Sequence, residues 1–291
     1  MDRRRVVAMV SLVGATVFWA GNYVVGVVAV GEMGPVSLVF WRWLLALVPL
    51  VVLAQLTERP DWRAVLRRWP WIVVLSLTGL AGYNLFLYAA LQYTDAFNAS
   101  LINAFNPALI LLASALFLRQ PLTPRGIGGV LLALVGVLVV LTKGTLAGLE
   151  GFRLGPGELL MLGAIGVWTA YTIIGRRGPK LPPITSTAAQ ALVTLLATTP
   201  FVLAGGLEVP RSTAGTWSLA FIAIFPSVLS YLLWNRALTV IEPGRAGVYL
   251  NLITVFTAIA AVLMGQALQP AEVIGGALVI GGVALTSARR G

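Results

Sequence analysis

Two residue types are missing altogether from the 291-residue sequence, which contains neither cysteine nor histidine. Thiolate and imidazole chemistry go with them. Cysteine and histidine nucleophiles are excluded, and zinc, copper, histidine-ligated haem and iron–sulfur centres lose their ligand sets. Charge is scarce as well, at 10% of residues where soluble domains carry about 25%. With 58% hydrophobic residues there is too little polar surface to coat a water-soluble globule, so an ordinary cytosolic enzyme is excluded. No P-loop lysine motif or dinucleotide glycine fingerprint occurs, which removes direct ATP drive by this chain. No cofactor is expected.

What is present is a succession of long apolar runs. A membrane helix takes about 20 apolar residues, and roughly 28 with its connector, so 291 residues accommodate about ten. The runs predict spans over 6–30, 36–56, 70–92, 94–118, 124–142, 157–176, 184–205, 215–239, 243–267 and 270–288. Proline and glycine punctuate the connectors, as at Gly31 to Pro35, Pro121 to Pro124, Pro179 to Pro183, Pro243-Gly244 and Pro270. Met1 to Arg5 resembles the charged start of a signal peptide. The apolar stretch that follows, Val6 to Val30, is too long for one and is expected to stay as the first membrane helix.

The 20 basic residues outnumber the 10 acidic ones, and their placement explains the imbalance. With the N-terminus inside, 15 of the 20 fall on the cytoplasmic side, including Arg3 to Arg5, Arg59, Arg63, Arg67, Arg68, Arg176, Arg177 and Lys180. The expectation is a multi-pass protein of the bacterial inner membrane with both termini in the cytoplasm. Its net charge of +10 faces anionic lipid headgroups, and nucleic acid is not expected as a partner. Trp62, Trp69 and Trp71 fit the inner aromatic belt and Trp217 the outer one.

The chain also repeats itself. Phe18 to Gly26 (FWAGNYVVG) aligns with Val167 to Gly175 (VWTAYTIIG), pairing Trp19 with Trp168 at an offset of 149. Tyr83 to Leu91 aligns with Ser230 to Leu238, and Ile127-Gly128-Gly129 with Ile274-Gly275-Gly276, both at an offset of 147. Two five-helix units are therefore expected, 1–147 and 148–291. Five is odd, so the second unit must cross the membrane in the opposite sense, and the charges agree: Arg119 and Arg125 in one connector have no basic counterpart near Gln266 and Glu272. The predicted fold class is an all-α polytopic membrane protein, ten transmembrane helices in two inverted five-helix repeats.

The paired Trp19 and Trp168 segments, Arg42 in the second helix, and the run Ala89-Ala90-Leu91, Asn98-Ala99-Ser100-Leu101, Asn106-Pro107 resemble the EamA family of the drug/metabolite transporter superfamily. Within it the chain is similar to the YddG-type aromatic amino acid exporters. The resemblance implies a central cavity built largely from helices one, three, four, six, eight and nine, and export of small metabolites. One departure is plain. Many members carry Gly-Glu at the ends of helices four and nine, where this sequence has Leu118-Arg119 and Gly265-Gln266.

Polar groups at membrane depth are costly unless they face protein or a wet cavity, so they mark candidate sites. Asn84 and Tyr88 lie four apart on one helical face, and their repeat partners Tyr231 and Asn235 do the same. Asn98, Asn103, Tyr249 and Asn251 add polar groups on helices four and nine, and Trp19, Asn22, Trp168 and Tyr171 add aromatic and amide groups on helices one and six. Amides and phenols accept from an ammonium and donate to a carboxylate, while indole and phenol rings contact an aromatic side chain, so an aromatic amino acid suits this set. Hydrogen bonding between helices is the plainer role for any one of them. Arg42 and Arg236 are expected to snorkel or pair with a loop carboxylate, with contact to a substrate carboxylate as the alternative. Pro107 and Pro226 are expected to bend their helices. Gly128, Gly129, Gly275, Gly276, Gly281 and Gly282 permit close helix packing within the chain or, in a weak homodimer, between chains.

The expected function is a secondary transporter exporting amino acids, aromatic ones favoured. With no titratable group at depth, facilitated export is expected over proton coupling. A different metabolite, a cationic drug or a lipid are the rival cargoes. The helix interiors lack Asp, Glu and Lys, which removes the constellations of an intramembrane enzyme.

Overall fold

The computed structural model describes residues 3–119, 123–142, 144, 155–238, 240–241 and 247–287. The turn from Glu242 to Arg245, Lys143, Arg153, Arg289 and Arg290 lie outside the described residues, as does the side chain of Asn235. Everything regular among the described residues is helical. The long elements are α1 (Arg3–Glu32), α2 (Pro35–Thr57), α3 (Trp69–Ala90) and α4 (Ala96–Leu118), then α5 (Pro124–Leu141), α6 (Pro156–Arg177), α7 (Pro183–Gly205) and α8 (Thr213–Leu238). A 3₁₀ turn, Gly247–Asn251, leads into α9 (Leu252–Leu263), and α10 (Pro270–Ser287) follows. Seven of them, α1 to α4 and α6 to α8, are long and apolar enough to cross a membrane; α5, α9 and α10 are shorter apolar helices. Large apolar side chains cover the outside, with Leu203 79% and Leu263 82% exposed, as a lipid-facing surface requires.

Local chemistry sets the helix ends. Proline occupies the first turn of α2, α6 and α7, where its missing N–H has no intrahelical partner to lose. Asp95 caps α4 by accepting from Asn98 N, and Ser212 caps α8 by accepting from Gly215 N. A further five-residue helix, Trp62–Leu66, lies in the α2–α3 connector, capped by Asp61. The two internal prolines act differently. Pro107 follows a break at Phe105 that divides α4 into Ala96–Ala104 and Asn106–Leu118, whereas Pro226 lies in a π-helical turn, Phe225–Leu229, inside α8. Helix α3 carries its own π turn, Ser76–Gly82, at the corresponding place.

The helices pack in matched pairs. Helix α1 lies against α8 and α9, and α6 lies against α3 and α4; α2 pairs with α7, α4 with α9, and α5 with α10. The α5–α10 crossing is closest. A Cβ added at Gly136 would fall 2.6 Å from Gly275 O, and one at Gly282 would fall 2.5 Å from Gly129 O. Backbone therefore rests on backbone at two reciprocal points. These glycines are used inside the chain, and the contact is the intramolecular one of the two expected.

The α2–α7 pair is fastened by reciprocal carboxylates. Glu58, just past α2, accepts from Ile184 N (2.9 Å), Thr185 N (2.8 Å) and Thr185 Oγ1 (2.6 Å) at the start of α7. Glu208, just past α7, accepts from Gly34 N at the start of α2, and its backbone N–H donates to Ser37 Oγ (3.1 Å). Each acid meets the orphan amides and the positive dipole end of the other helix. Glu58→Ala and Glu208→Ala are each expected to destabilise the protein by about 1 kcal/mol, additively in the double variant because the caps lie at opposite ends of the pair. Thermal unfolding followed by tryptophan fluorescence measures this, and an unchanged Tm in the double variant contradicts it.

Candidate functional site

Between the paired helices lies a cavity of about 630 Å³, a size suited to a small organic ligand. Its walls come from α1, α2, α3, α4, α6, α7, α8, and α9 with the turn leading into it. Helices α2 and α7 thus join the six that the family resemblance implies.

The charged group that lines the cavity floor is Arg42, which is buried at only 3% exposed. The expected snorkelling to a headgroup or pairing with a loop acid is not what occurs. Its Nε donates to Ser227 Oγ (2.7 Å), and its Nη1 donates to Asn84 Oδ1 (2.7 Å), Tyr88 OH (2.7 Å) and, at longer range, Asn22 Oδ1 (3.3 Å). The acceptors are themselves oriented: Tyr88 OH donates to Asn22 Oδ1 (2.8 Å), Asn84 Nδ2 to Leu80 O, and Ser227 Oγ to Ile222 O (2.7 Å). Those last two carbonyls belong to or adjoin the π turns of α3 and α8, so the widened turns hold the amide and hydroxyl facing the guanidinium. The guanidinium carbon also stands 5.0 Å from the Trp43 ring centre and 5.9 Å from that of Tyr88. All these partners are neutral.

Two aromatic panels flank this floor. On one side Trp19 meets Tyr231 edge-on (5.8 Å between centroids) and Trp234 at 5.4 Å, and its Nε1 donates to Pro226 O. On the other, Trp168 packs 5.0 Å from Tyr83 and 5.1 Å from Tyr171. Tyr23 OH and Tyr83 OH share a hydrogen bond of 2.8 Å, and Tyr83 OH donates to Asn103 Oδ1 (3.1 Å). Asn251 also lines the cavity, yet both atoms of its side-chain amide are buried without a partner among the described residues. Toward the ends of α6 and α7 the lining continues through Gln190 and Thr187 to Arg176 and Lys180.

Of the candidate residues, Trp19, Asn22, Asn84, Asn103, Trp168, Tyr171, Tyr231 and Asn251 line this one cavity. Tyr88 is fully buried behind the lining, against Arg42. Asn98 is engaged by the Asp95 carboxylate at the start of α4, and Tyr249 packs against the cluster of Ala8, Leu12 and Ala237; neither is part of the lining. The Asn235 side chain is outside the described residues, and Arg236 is exposed. Tyr83, Trp234, Gln190 and Ser227 were not among the candidates. Trp234 stands one helical turn from Tyr231, which is a readable signal; nothing local marks Ser227 as an arginine partner.

The comparisons with known proteins agree with this geometry. Residues 6–142 and 155–288 each match the model of the EamA-like transporter family. The chain is 28% identical over 283 residues to the uncharacterized transporter YyaM of Bacillus subtilis, covering 96% of this chain and 92% of that protein. It is 29% identical over 235 residues to the aromatic amino acid exporter YddG of Ancylobacter novellus, covering 77% and 78%. A probable terminal-alkyne amino-acid exporter of Streptantibioticus cattleyicolor is 28% identical over 291 residues, covering 97% and 94%. A solved crystal structure shares the fold with a TM-score of 0.69 at 20% identity, covering 98% and 97%. Two matches to the same family model, together covering nearly the whole chain, place this protein in the EamA-like transporter family.

Proposed function

We propose that this EamA-family transporter exports amino acids, with aromatic ones favoured, across the bacterial inner membrane by alternating access of two inverted halves, 1–147 and 148–291. The observation that carries the reading is the cavity itself, with two indole-and-phenol panels above a polar floor. Aromatic side chains bind between such panels by edge and face contacts, each worth about 0.5–1.5 kcal/mol beyond buried area. Several relatives are named as exporters or efflux pumps of amino acids or their metabolites.

The reciprocal features support ten spans in two inverted repeats. Glu58 and Glu208 exchange caps at an offset of 150; Gly129 meets Gly282 and Gly136 meets Gly275, a swapped pairing of positions that correspond at an offset of 146; and the π turns of α3 and α8 coincide. The cavity mouth at Arg176 and Lys180 faces the cytoplasm in the orientation that the basic residues favour. No aspartate or glutamate lines the cavity among the described residues, which favours facilitated export over proton coupling.

Proteoliposomes loaded with labelled phenylalanine or tryptophan are expected to release it only when the protein is present, and a pH gradient is expected not to drive accumulation. Absence of protein-dependent flux of either amino acid rejects the cargo. Uphill accumulation driven by the pH gradient rejects the facilitated mechanism.

A further inference from the structure

The Arg42 guanidinium carries a full charge in a place where nothing described opposes it. Its four hydrogen-bonding partners, Asn22, Asn84, Tyr88 and Ser227, are neutral. Arginine does not discard its proton when buried, so the charge persists at membrane depth. Neutral acceptors satisfy Nε and Nη1, but Nη2 makes no hydrogen bond among the described residues while Arg42 lines the cavity. One face of a planar fork is thereby held rigid from behind with its remaining N–H groups directed to cavity space.

The rest of the lining points the same way. Among the described residues its charged members are Arg42, Arg176 and Lys180, all basic, so the lining favours an anionic guest. A net cation is repelled by such a site.

Resting on the transporter reading above, we propose that Arg42 is the anchor for an anionic oxygen group of the cargo, a carboxylate in an amino acid, and that cargoes lacking one are excluded. The anchor acts through charge-assisted hydrogen bonds from Nη2 in a low-dielectric site. The aromatic panels then receive the side chain.

Binding, measured apart from transport, tests this. Intrinsic tryptophan fluorescence of the purified protein in lipid nanodiscs is titrated with phenylalanine, phenylalaninamide, 3-phenylpropionate and phenethylamine, in chloride and in gluconate buffer. Phenylalanine and 3-phenylpropionate are expected to bind at least about tenfold more tightly than the amide and the amine, because the latter two cannot complete the charge-assisted pair. This series needs only the native chain. In Arg42→Lys the discrimination is expected to shrink, since the ammonium keeps the charge but loses the fork, and in Arg42→Gln it is expected to vanish. Equal binding of phenylalanine and phenylalaninamide overturns the proposal. So does a response to chloride alone without carboxylate preference, which makes the site a halide site. If 3-phenylpropionate binds in an Arg42-dependent way and no amino acid is transported, the anchor stands and the amino acid reading falls.

Discussion

Gly136→Val and Gly282→Val are each expected to abolish recovery of folded protein from the membrane. At both positions the added Cβ would lie 2.5–2.6 Å from a carbonyl oxygen of the facing helix, and further close contacts fall on the Val279 and Ala133 backbone nitrogens. Flexible side chains can step aside from such a clash, but backbone cannot, so α5 and α10 must separate. Separation dismantles this crossing, and in lipid there is no hydrophobic drive to bring helices back together once close packing is lost. Gly128→Val is the matched control, because a Cβ there meets only Leu285 Cδ2 at 3.9 Å. Size-exclusion chromatography after detergent extraction reads the outcome: a monodisperse peak for Gly128→Val and aggregate or loss for the other two. A normal profile for Gly136→Val rejects the backbone-contact account.

The second large effect exploits the lack of thiols. Because the sequence has no cysteine, Thr172→Cys or Ser186→Cys introduces the only one in the chain. Both positions line the cavity on its way to Arg176 and Lys180. At the opposite end the Glu32 carboxylate accepts from Arg211 N, Ser212 N and Ser212 Oγ, which ties the end of α1 to the start of α8, and Glu208 meets the start of α2. The lining reaches the α6–α7 connector at one end, and these carboxylates lace the other. A membrane-impermeant maleimide is therefore expected to label either cysteine in inverted vesicles and to leave it unmodified in intact cells. Labelling in intact cells alone reverses the proposed orientation, and equal labelling from both sides contradicts the one-sided cavity.

Helix ends were legible where proline, glycine and a change in hydrophobicity coincide. The predicted 36–56 and 184–205 compare with Pro35–Thr57 and Pro183–Gly205. Where the signals separate, the reading drifts: α1 runs from Arg3 to Glu32 because a helix continues past the end of its apolar stretch into polar solvent. The helix Trp62–Leu66 is too short to show periodicity, although Asp61 ahead of it is a cap residue. The π turns have no one-residue signature, since any sequence near a proline or glycine pair admits an extra residue in a turn.

The site divides along similar lines. Aromatic and amide residues at membrane depth were readable one by one because their desolvation cost makes them conspicuous. Which of them share a cavity was not, and local competition decided one. Asn98 follows Asp95 by three residues, which draws its side chain into the cap. Arg42 is the strongest case. Its burial depends on acceptors 20, 42, 46 and 185 residues away in the chain, from three other helices, so sequence proximity to Trp41 and Trp43 suggested a headgroup contact instead.

The α5–α10 crossing has a consequence for how such a protein diversifies. Neither helix supplies a residue to the cavity lining among the described residues, so this backbone-to-backbone contact and the proposed cargo surface share no side chains. Changes around Trp19, Trp168 or Asn251 can accumulate under selection for a new cargo without loosening the seam. Drift in cargo preference and drift in assembly are uncoupled, and one architecture can be passed among descendants that carry different molecules.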